Sequence, residues 1–235
     1  MTKISIITIT YNNINGLRKT VESVICQEDY SSIEYIIIDG ASSDGTVEYL
    51  NTLPTEIKWI SEVDRGISHA FNKGIKRATG DSIIFLNSGD ELVDRFVISK
   101  AIKKWENSKV DLLSFRVQVT DNIYIPCDDN ENKIKETCDM PHQGTFISRE
   151  LCESVGGYSE EYRIRMDYHF FAKCKKNGAT FKYIPEVIVK YEPGGVSMKK
   201  ENRVRFWKEG MSVKYMYGLP IVFKDIIKTF IFYNK

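Results

Sequence analysis

The chain has 235 residues, a length that fits one large domain or one domain with a short tail, and it is long enough to bury a core without disulfides. Its 33 basic residues nearly cancel its 32 acidic residues, so no net field attracts nucleic acid and we predict no nucleic-acid partner. Five scattered cysteines, no signal peptide and no apolar run of about 18 residues predict a cytoplasmic protein without disulfides or a membrane-spanning helix.

The first ninety residues alternate between strand patterns and helix patterns. Runs of β-branched and apolar residues predict strands over Ile4–Thr10, Ile33–Asp39 and residues 57–61 and 81–86. Apolar residues at helical spacing predict helices over Ile14–Ile25 and residues 43–50 and 67–78. Because strands and helices alternate along the chain, we predict an α/β fold with a mostly parallel twisted sheet flanked by helices.

The second half has a less regular pattern. It predicts a helix over residues 93–105, a strand over residues 110–119 and a polar loop over residues 120–139. A further helix is predicted over Met166–Lys176, followed by short strands at residues 180–184 and 187–191. The breaker Pro193-Gly194-Gly195 then separates these elements from a tail rich in basic and aromatic residues.

Polar residues follow each of the four strands predicted in the first half. They occupy residues 11–13, 39–46, 62–66 and 87–90, and three of these segments carry carboxylates. A helix cap or a turn explains any one segment, but parallel sheets bind ligands at the carboxyl ends of their strands, so the four together predict a site. The first strand end lacks the Gly-x-Gly-x-x-Gly segment of dinucleotide-binding folds, and the chain contains no P-loop sequence.

Six segments, in order along the chain, resemble the family-two glycosyltransferases of GT-A fold, particularly bacterial polysaccharide and O-antigen transferases. These segments are residues 4–12, 38–46, 64–67, 70–75, 78–81 and 85–90. The resemblance runs from Lys3 to about Tyr191. It implies a GT-A-like sheet with a small antiparallel addition and a helical C-terminal tail.

The resemblance also implies how the chain is divided. Residues 1–195 are the expected GT-A catalytic domain, in which residues 1–92 form the nucleotide-binding half and residues 93–195 the acceptor-side half. Residues 196–235 are the helical tail, whose wide apolar face and basic flank predict contact with a membrane surface. The alternative is packing on the catalytic domain or on a second subunit. Packing is the commoner fate of such apolar faces, so we expect a cytoplasmic protein, and a peripheral position on the inner face of the cell membrane stays open beside it.

The resemblance implies that seven residues bind the nucleotide-sugar donor: Thr10, Tyr11, Asn12, Asp39, Asp64, Asn72 and Ser88. Asp39 and Asp64 match positions that contact the base, which is usually uracil, so the expected donor is a UDP-sugar. Asn72 matches a residue that shapes the donor pocket, and the alternative is a polar residue on a helix surface.

The metal-binding motif departs from the usual form in the family. Family members commonly have Asp-x-Asp or an Asp-Asp pair where this chain reads Ser88-Gly89-Asp90. Asp90 keeps the last position and is the implied ligand of Mn²⁺ or Mg²⁺, cations that prefer oxygen ligands and often bind with substrate phosphates. Because one carboxylate binds a free cation weakly, we expect the metal to bind mainly together with the nucleotide.

A segment of the second half implies the catalytic base. Family members have a Gly-Gly-Tyr or Gly-Gly-Phe turn followed by an acidic residue that opens a helix. Here Gly156-Gly157-Tyr158 is followed by Asp167, which we expect to take the proton of the acceptor hydroxyl. The alternative is that Asp167 caps the helix.

Four further residues are expected to contact the acceptor or a phosphate: His142, Gln143, Arg163 and Arg165. The His-Gln pair is similar to one that faces the active site in polysaccharide transferases. A structural histidine and solvated surface charges are the alternatives at these positions.

The implied reaction inverts the anomeric centre. A hexose or N-acetylhexosamine moves from a nucleotide-diphosphate sugar to a saccharide acceptor on a polyprenyl diphosphate, in polysaccharide or O-antigen synthesis. Two other classes stay open. A sugar-1-phosphate nucleotidyltransferase would need a Gly-rich basic loop after the first strand, and a non-catalytic sugar-nucleotide-binding protein is compatible with the reduced metal motif.

Overall fold

A computed structural model describes residues 2–121, 123–126, 129–138 and 140–221 of the chain. The strands are β1 Ile4–Thr10, β2 Ile33–Asp39, β3 Lys58–Ser61, β4 Ser82–Asn87, β5 Glu91–Leu92, β6 Leu112–Thr120, β7 Ile123–Ile125, β8 Thr145–Ser148 and β9 Phe181–Lys190. The helices are α1 Ile14–Ile25, α2 Thr46–Leu50, α3 Ile67–Ile75, α4 Val97–Ser108, α5 Glu131–Thr137, α6 Arg149–Ser154, α7 Met166–Lys176 and α8 Arg203–Tyr217.

The strands of these described residues form one curled sheet. Its order is β3-β2-β1-β4-β8-β6-β9-β5, and β7 pairs with β6. The strands from β3 to β4 are parallel to their neighbours, β8 is antiparallel to both β4 and β6, and β6 is parallel to β9. Helices cover the sheet, so the predicted α/β fold class is confirmed, with the antiparallel strands added in the second half of the chain.

The register of the parallel strands brings their carboxyl ends to one edge. Thr10 pairs with Asp39, Asp39 pairs with Ser61, and Ile9 pairs with Asn87. The polar segments that follow these strands therefore begin side by side. The four polar strand ends therefore lie together at one edge of the sheet.

Both faces of the parallel strands are buried. Along β1, Ile4 and Ile6 pack into one hydrophobic cluster, whereas Ile7 packs into the cluster on the opposite face. Successive side chains of a strand point to opposite faces, so a strand covered on both sides reads as a continuous apolar run. This explains why β1 and β2 were predicted with their observed bounds.

Three elements of the second half differ from the predictions. The helix predicted at residues 93–105 is α4, which begins at Val97 because the Asp94 side chain accepts a hydrogen bond from the Phe96 N–H and holds the preceding turn. The polar loop predicted at residues 120–139 contains β7 and α5. The two short strands predicted at the end are the single strand β9, whose register against β6 shifts after Ile184. Pro185 follows there, and a proline has no N–H to donate to a neighbouring strand.

The tail begins with a helix that packs on the second half of the chain. Helix α8 contacts α7, it buries Trp207 and Val213, and the Tyr217 hydroxyl lies 3.1 Å from His169 Nε2. The apolar stretch predicted to lie at a membrane surface is outside the described residues from position 222 onward. Among the helices that are described, none has the length and apolar character needed to cross a bilayer.

Candidate active site

Two cavities open side by side at the carboxyl edge of the sheet. The first cavity has a volume of about 580 Å³ and is lined by residues that follow β1, β2, β3 and β4. The second cavity has a volume of about 510 Å³ and is lined mainly by residues of β6, β7, the His142–Gly144 turn and the start of α7. Both cavities share four lining residues: Ile67, Asn87, Gly195 and Val196. They therefore meet at Asn87, the last residue of β4.

The first cavity collects most of the residues predicted to bind the donor. Thr10, Tyr11, Asp64 and Ser88 line it. The Tyr11 side chain is 67% exposed, so one aromatic ring stands open at the cavity. Asn12 joins the loops behind this wall, because its Oδ1 accepts a hydrogen bond from the Ser43 N–H at 2.8 Å and its N–H donates to Ser42 Oγ at 2.8 Å.

Asp39 lies behind the wall of the first cavity rather than in it. The residue is fully buried, and its carboxylate accepts hydrogen bonds from the Ser42 N–H at 3.0 Å and from Ser61 Oγ at 2.6 Å. These bonds hold the loop at Gly40 and Ala41, which does line the cavity. In the observed arrangement, Asp39 fixes the shape of the loop, and Asp64 is the carboxylate that faces the cavity.

A buried lysine holds Asp64 in place. Lys73 Nζ lies 2.7 Å from Asp64 Oδ1 and also donates to the carbonyls of Glu62 and Val63 at 3.2 and 3.3 Å. His69 Nδ1 lies 3.1 Å from the same Asp64 oxygen. His69 and Lys73 are four residues apart on α3, so one face of the helix supports the loop after β3. Sequence reasoning missed both residues, although Lys73 stands inside a quoted motif.

Asn72 was predicted to shape the donor pocket, and the structure gives its amide another contact. Its Nδ2 donates to the Tyr158 carbonyl and its Oδ1 accepts from the Tyr158 N–H, both at 2.8 Å. The residue lines neither cavity. Asn72 therefore connects α3 to the Gly156–Tyr158 turn, and any effect on the donor would act through that turn.

The predicted metal ligand Asp90 is buried. Its Oδ2 accepts a hydrogen bond from the Asn87 N–H at 3.0 Å and its Oδ1 accepts one from the Glu192 N–H at 3.1 Å. Burial raises the pKa of Asp90 to about 6, although these N–H groups and His142 oppose the shift. Asp90 lines neither cavity, so its carboxylate closes a turn instead of facing a ligand.

The Ser88-Gly89-Asp90 segment has a structural reason for its glycine. Gly89 has a φ of +106°, and the Glu192 carboxylate lies where a Cβ at position 89 would stand. An aspartate there would need both the left-handed backbone and a shift of the Glu192 side chain. Within the part of the chain that the structure describes, no three His, Cys, Asp or Glu side chains group to hold a metal ion. The residues present therefore do not fit a resident Mn²⁺ or Mg²⁺.

The predicted base lies in the second cavity. The Asp167 side chain is 29% exposed, and its Oδ2 lies 3.5 Å from His142 Nδ1. His142 Nε2 lies 3.1 Å from Asn87 Nδ2, so His142 connects the carboxylate to the residue where the two cavities meet. The residue that caps α7 is Arg165, not Asp167. Asp167 lies in the first turn of α7, and its Oδ1 accepts a hydrogen bond from the Tyr168 N–H at 2.7 Å, so the side chain supports the start of the helix as well as lining the cavity.

The charges around Asp167 favour its ionised form. Burial raises the pKa of Asp167, but His142, Arg165 and the N–H of Tyr168 lower it by more, so the net pKa lies below the ordinary value. A carboxylate in this state is ready to accept a proton at neutral pH.

The remaining predicted contacts also lie in the second cavity. Gln143, Arg163 and Arg165 line it together with His142. Gln143 also hydrogen-bonds Asp90, whereas Arg163 Nη1 donates to the Arg65 carbonyl at 2.6 Å. All four predicted acceptor-side residues are therefore brought together beside Asp167.

Sequence reasoning missed three residues that organise the two cavities: Asn87, Glu192 and Glu209. Asn87 belongs to a quoted motif without an assigned role. Glu192 and Glu209 carry no local signal, because their partners lie far away along the chain: Glu192 contacts Asn13 and Asp90, and Glu209 contacts the segment before α7.

The chain is similar to known proteins in sequence and in fold. It is 33% identical over 180 residues to an uncharacterized glycosyltransferase of Mycobacterium tuberculosis, covering 73% of this chain and 68% of that protein. It matches S. aureus TarS 1-349 in complex with UDP-GlcNAc with a TM-score of 0.76 and 17% identity, covering 98% of this chain and 70% of that one.

A second solved structure has the same fold. The mannosyltransferase PcManGT from Pyrobaculum calidifontis, in complex with GDP-Man and Mn²⁺, matches with a TM-score of 0.68 and 18% identity. That match covers 90% of this chain and 64% of PcManGT, so the chain spans about two thirds of that protein. Both likenesses show the GT-A fold. Residues 5–163 match the profile described as Glycosyl transferase family 2, and the chain belongs to that family.

Proposed function

We propose that this protein transfers a sugar from a nucleotide-diphosphate donor in the first cavity to an acceptor hydroxyl in the second cavity. The observation that carries the proposal is the position of Asp167. Its carboxylate lies in the second cavity, and His142 stands between it and Asn87, where the two cavities meet. Transfer of a sugar to a hydroxyl group needs a general base in the acceptor cavity, next to the donor cavity.

The first cavity suits the nucleoside of the donor. The exposed ring of Tyr11 offers a surface on which the nucleobase can stack. The Asp64 carboxylate offers a hydrogen-bond acceptor for an N–H of the nucleobase. Structural neighbours are described as complexes with UDP-GlcNAc and with GDP-Man, which supports a nucleotide-sugar donor. We propose a UDP-sugar carrying a hexose or an N-acetylhexosamine.

The proposed chemistry is one displacement with inversion. The acceptor oxygen forms a bond to the anomeric carbon while the bond from that carbon to the diphosphate breaks. The electron pair of the broken bond leaves with the nucleoside diphosphate, and the hydroxyl proton moves to Asp167. The lowered pKa of Asp167 keeps the carboxylate free for this proton.

We propose a divalent cation only as a companion of the bound donor. Asp90 is buried with both carboxylate oxygens hydrogen-bonded, so the protein alone offers little to Mn²⁺ or Mg²⁺. The donor diphosphate supplies oxygen ligands that such cations commonly use. The earlier prediction that metal binds mainly with the nucleotide is retained on this ground.

The acceptor and the cellular setting are also proposals. We propose a saccharide acceptor carried on a polyprenyl diphosphate, in bacterial polysaccharide or O-antigen synthesis, with the protein peripheral on the cytoplasmic face of the membrane. The basic and aromatic residues of the tail support this setting. Membership of family two weighs against the nucleotidyltransferase alternative, and the non-catalytic alternative becomes one outcome of the experiment below.

The experiment combines a donor screen with one variant. Thermal shift with UDP-, GDP- and dTDP-sugars, with and without Mn²⁺, identifies the donor, and product analysis over an acceptor panel detects transfer. Asp167→Asn should keep donor affinity and lower turnover about 10²- to 10⁴-fold, because it removes a general base. The exposed Asp121→Asn is the control. Near-normal turnover in Asp167→Asn would exclude Asp167 as the base, and donor binding without any transfer would favour a binding protein.

A further inference from the structure

Arg165 has an unusual setting for a charged residue beside a cavity. Its guanidinium carbon lies 4.2 Å from the ring centre of Tyr168 and 4.5 Å from the ring centre of Phe206. Aromatic rings thus lie against the guanidinium, where cation–π attraction holds it in place. A guanidinium donates hydrogen bonds only in its own plane, so its donors are aimed in defined directions.

One N–H group of the Arg165 guanidinium has no hydrogen-bond partner among the described residues. Arg165 Nε is buried and makes no hydrogen bond within the described residues. Its neighbour Arg163 differs, since Arg163 Nη1 already donates to the Arg65 carbonyl. A buried donor left without a partner is costly, and structures usually keep one only where something else fills the place. Arg165 as a whole is only partly buried and lines the second cavity, so its guanidinium is in place for a ligand there that supplies hydrogen-bond acceptors.

Helix α8 of the tail builds this setting. Glu209 accepts hydrogen bonds from the N–H groups of Arg163, Ile164 and Arg165 at 3.1, 2.9 and 2.9 Å. Phe206, which contacts the guanidinium, lies three residues before Glu209 on the same face of α8. One helix thus fixes both the backbone and the side chain of Arg165. Such support is expected where the position of a charged group matters.

The location of Arg165 indicates whether it would contact the donor or the acceptor. Arg165 and Asp167 line the second cavity, and Arg165 does not line the first. A guanidinium matches the geometry of phosphate and carboxylate oxygens, with which it forms strong charge-assisted hydrogen bonds. The positive charge of Arg165 is also near enough to Asp167 to lower its pKa. An anion at Arg165 would therefore lie close to the proposed base.

We propose that Arg165 is the anion-binding residue of the acceptor site, so the acceptor carries a phosphate or carboxylate group close to the hydroxyl that receives the sugar. This inference rests on the proposed function, because it takes the second cavity as the acceptor cavity. It assigns the tail helix α8 a role in acceptor recognition through Phe206 and Glu209.

The test measures binding to protein saturated with UDP, without divalent metal, so that the donor site is filled and no cation binds the probes. Isothermal titration compares a hexose 1-phosphate, a hexuronic acid and the uncharged hexose. We expect at least one anionic probe to bind about 10- to 100-fold tighter than the uncharged hexose, the range expected for hydrogen bonds to a charged group. The phosphate and the carboxylate arms then distinguish the two sources of the anion.

Three variants connect the anion to Arg165. Arg165→Gln should lower anion affinity to that of the uncharged sugar, while UDP affinity stays unchanged. Phe206→Leu keeps the charge but removes the ring, and it should weaken the anion several-fold, which provides a second test if Arg165→Gln does not fold. Arg203→Gln removes an exposed charge at the start of α8 and should have no effect.

Each contrary result has a distinct meaning. Equal affinity for charged and uncharged probes, or equal anion affinity in Arg165→Gln and the unchanged protein, would overturn the inference while leaving the proposed function intact. Anion binding that appears in a parallel titration without UDP and disappears when UDP is present would assign Arg165 to the donor phosphates and would also overturn it. Failure of UDP and of every nucleotide sugar to bind would instead count against the proposed function.

Discussion

The imidazole of His142 lies 3.5 Å from the Asp167 carboxylate and, through its other nitrogen, 3.1 Å from the amide of Asn87. The carboxyl groups of Asp90 and Asp167 differ in pKa because their surroundings differ. Burial dominates at Asp90 and raises its pKa to about 6, whereas His142 and Arg165 outweigh burial at Asp167 and lower its pKa. The accessible carboxylate is thus kept ionised, and the inaccessible one closes a turn.

Removing His142 should change the pH dependence of transfer. Without the imidazole, burial is opposed less strongly, so the pKa of Asp167 rises and the acidic limb of the kcat/KM profile moves to higher pH. We expect His142→Ala to show this shift together with about a 10- to 100-fold lower kcat, since Asp167 also loses a positioning contact. Measuring kcat/KM from pH 5 to pH 9 tests this. His142→Gln, which keeps a polar contact, should lose less, and an unmoved acidic limb in His142→Ala would contradict the prediction.

Replacing Lys73 should loosen the loop that carries Asp64. Lys73 is only 7% exposed and is the main cation next to the Asp64 carboxylate. Lys73→Met leaves that mostly buried carboxylate with only His69 beside it, so we expect a loss of roughly 3 kcal/mol of unfolding free energy and weaker donor binding. Urea denaturation and titration with UDP measure the two effects. The exposed Lys76→Met, at the end of the same helix, is the control and should be nearly silent.

The sequence was sufficient for the parallel half of the fold because the information there is local. Strand β1 lies between two helical layers, so it is almost entirely buried and rich in isoleucine, and the exposed polar residues after it start where the strand stops. The same logic predicted Asp64 and Ser88 in one cavity. Helix α7 was also predicted with its observed bounds. A glycine turn before it and an acidic residue in its first turn mark where it begins.

The parts that sequence could not predict depend on contacts between distant residues. Asp39 reads as a ligand-binding carboxylate, and only the positions of Ser42 and Ser61 show that its oxygens are already hydrogen-bonded. Glu209 lies 44 to 46 residues after the three residues whose N–H groups donate hydrogen bonds to its carboxylate. No spacing rule connects a tail helix to a loop at that distance. The role of α8 therefore became visible only in the fold.

Glu34 should make the stability of the protein fall in acid. Burial alone would raise the pKa of Glu34, but hydrogen bonds from Lys58, Ser5 and Thr79 lower it to about 2. A carboxylate with a lowered folded-state pKa contributes stability above its unfolded value, near 4.5, and loses it as pH falls toward 2. The contribution at pH 7 is on the order of 3 kcal/mol.

The variant Glu34→Gln tests this contribution. We expect it to be less stable than the unchanged protein at pH 7 in urea denaturation, and the gap should narrow as pH falls below 4.5, where the carboxyl group takes up a proton. Glu136→Gln, at an exposed position of α5, should follow the unchanged protein at every pH. A gap that stays constant from pH 7 to pH 3 would show that Glu34 acts through packing and not through its charge.

Gly89 should resist replacement for two separable reasons. Its φ of +106° disfavours any side chain, and the Glu192 carboxylate also fills the place of a Cβ. We expect Gly89→Ala to cost more unfolding free energy than Gly178→Ala, because Gly178 has a φ of +80° but no atom within 4 Å of its Cβ position. Backbone strain alone costs roughly 1–3 kcal/mol, and the collision adds to it only at position 89.

A double-mutant cycle separates the collision from the strain. Glu192→Ala removes the carboxylate, so Gly89→Ala should cost less in that background, with a coupling of about 0.5–3 kcal/mol between the two sites. Urea denaturation of the four proteins measures this coupling. If the two substitutions are additive, Glu192 does not occupy the Cβ position in solution. The departure from the family's paired aspartates would then rest on the backbone alone, because the φ of +106° disfavours an aspartate at position 89 with or without the collision.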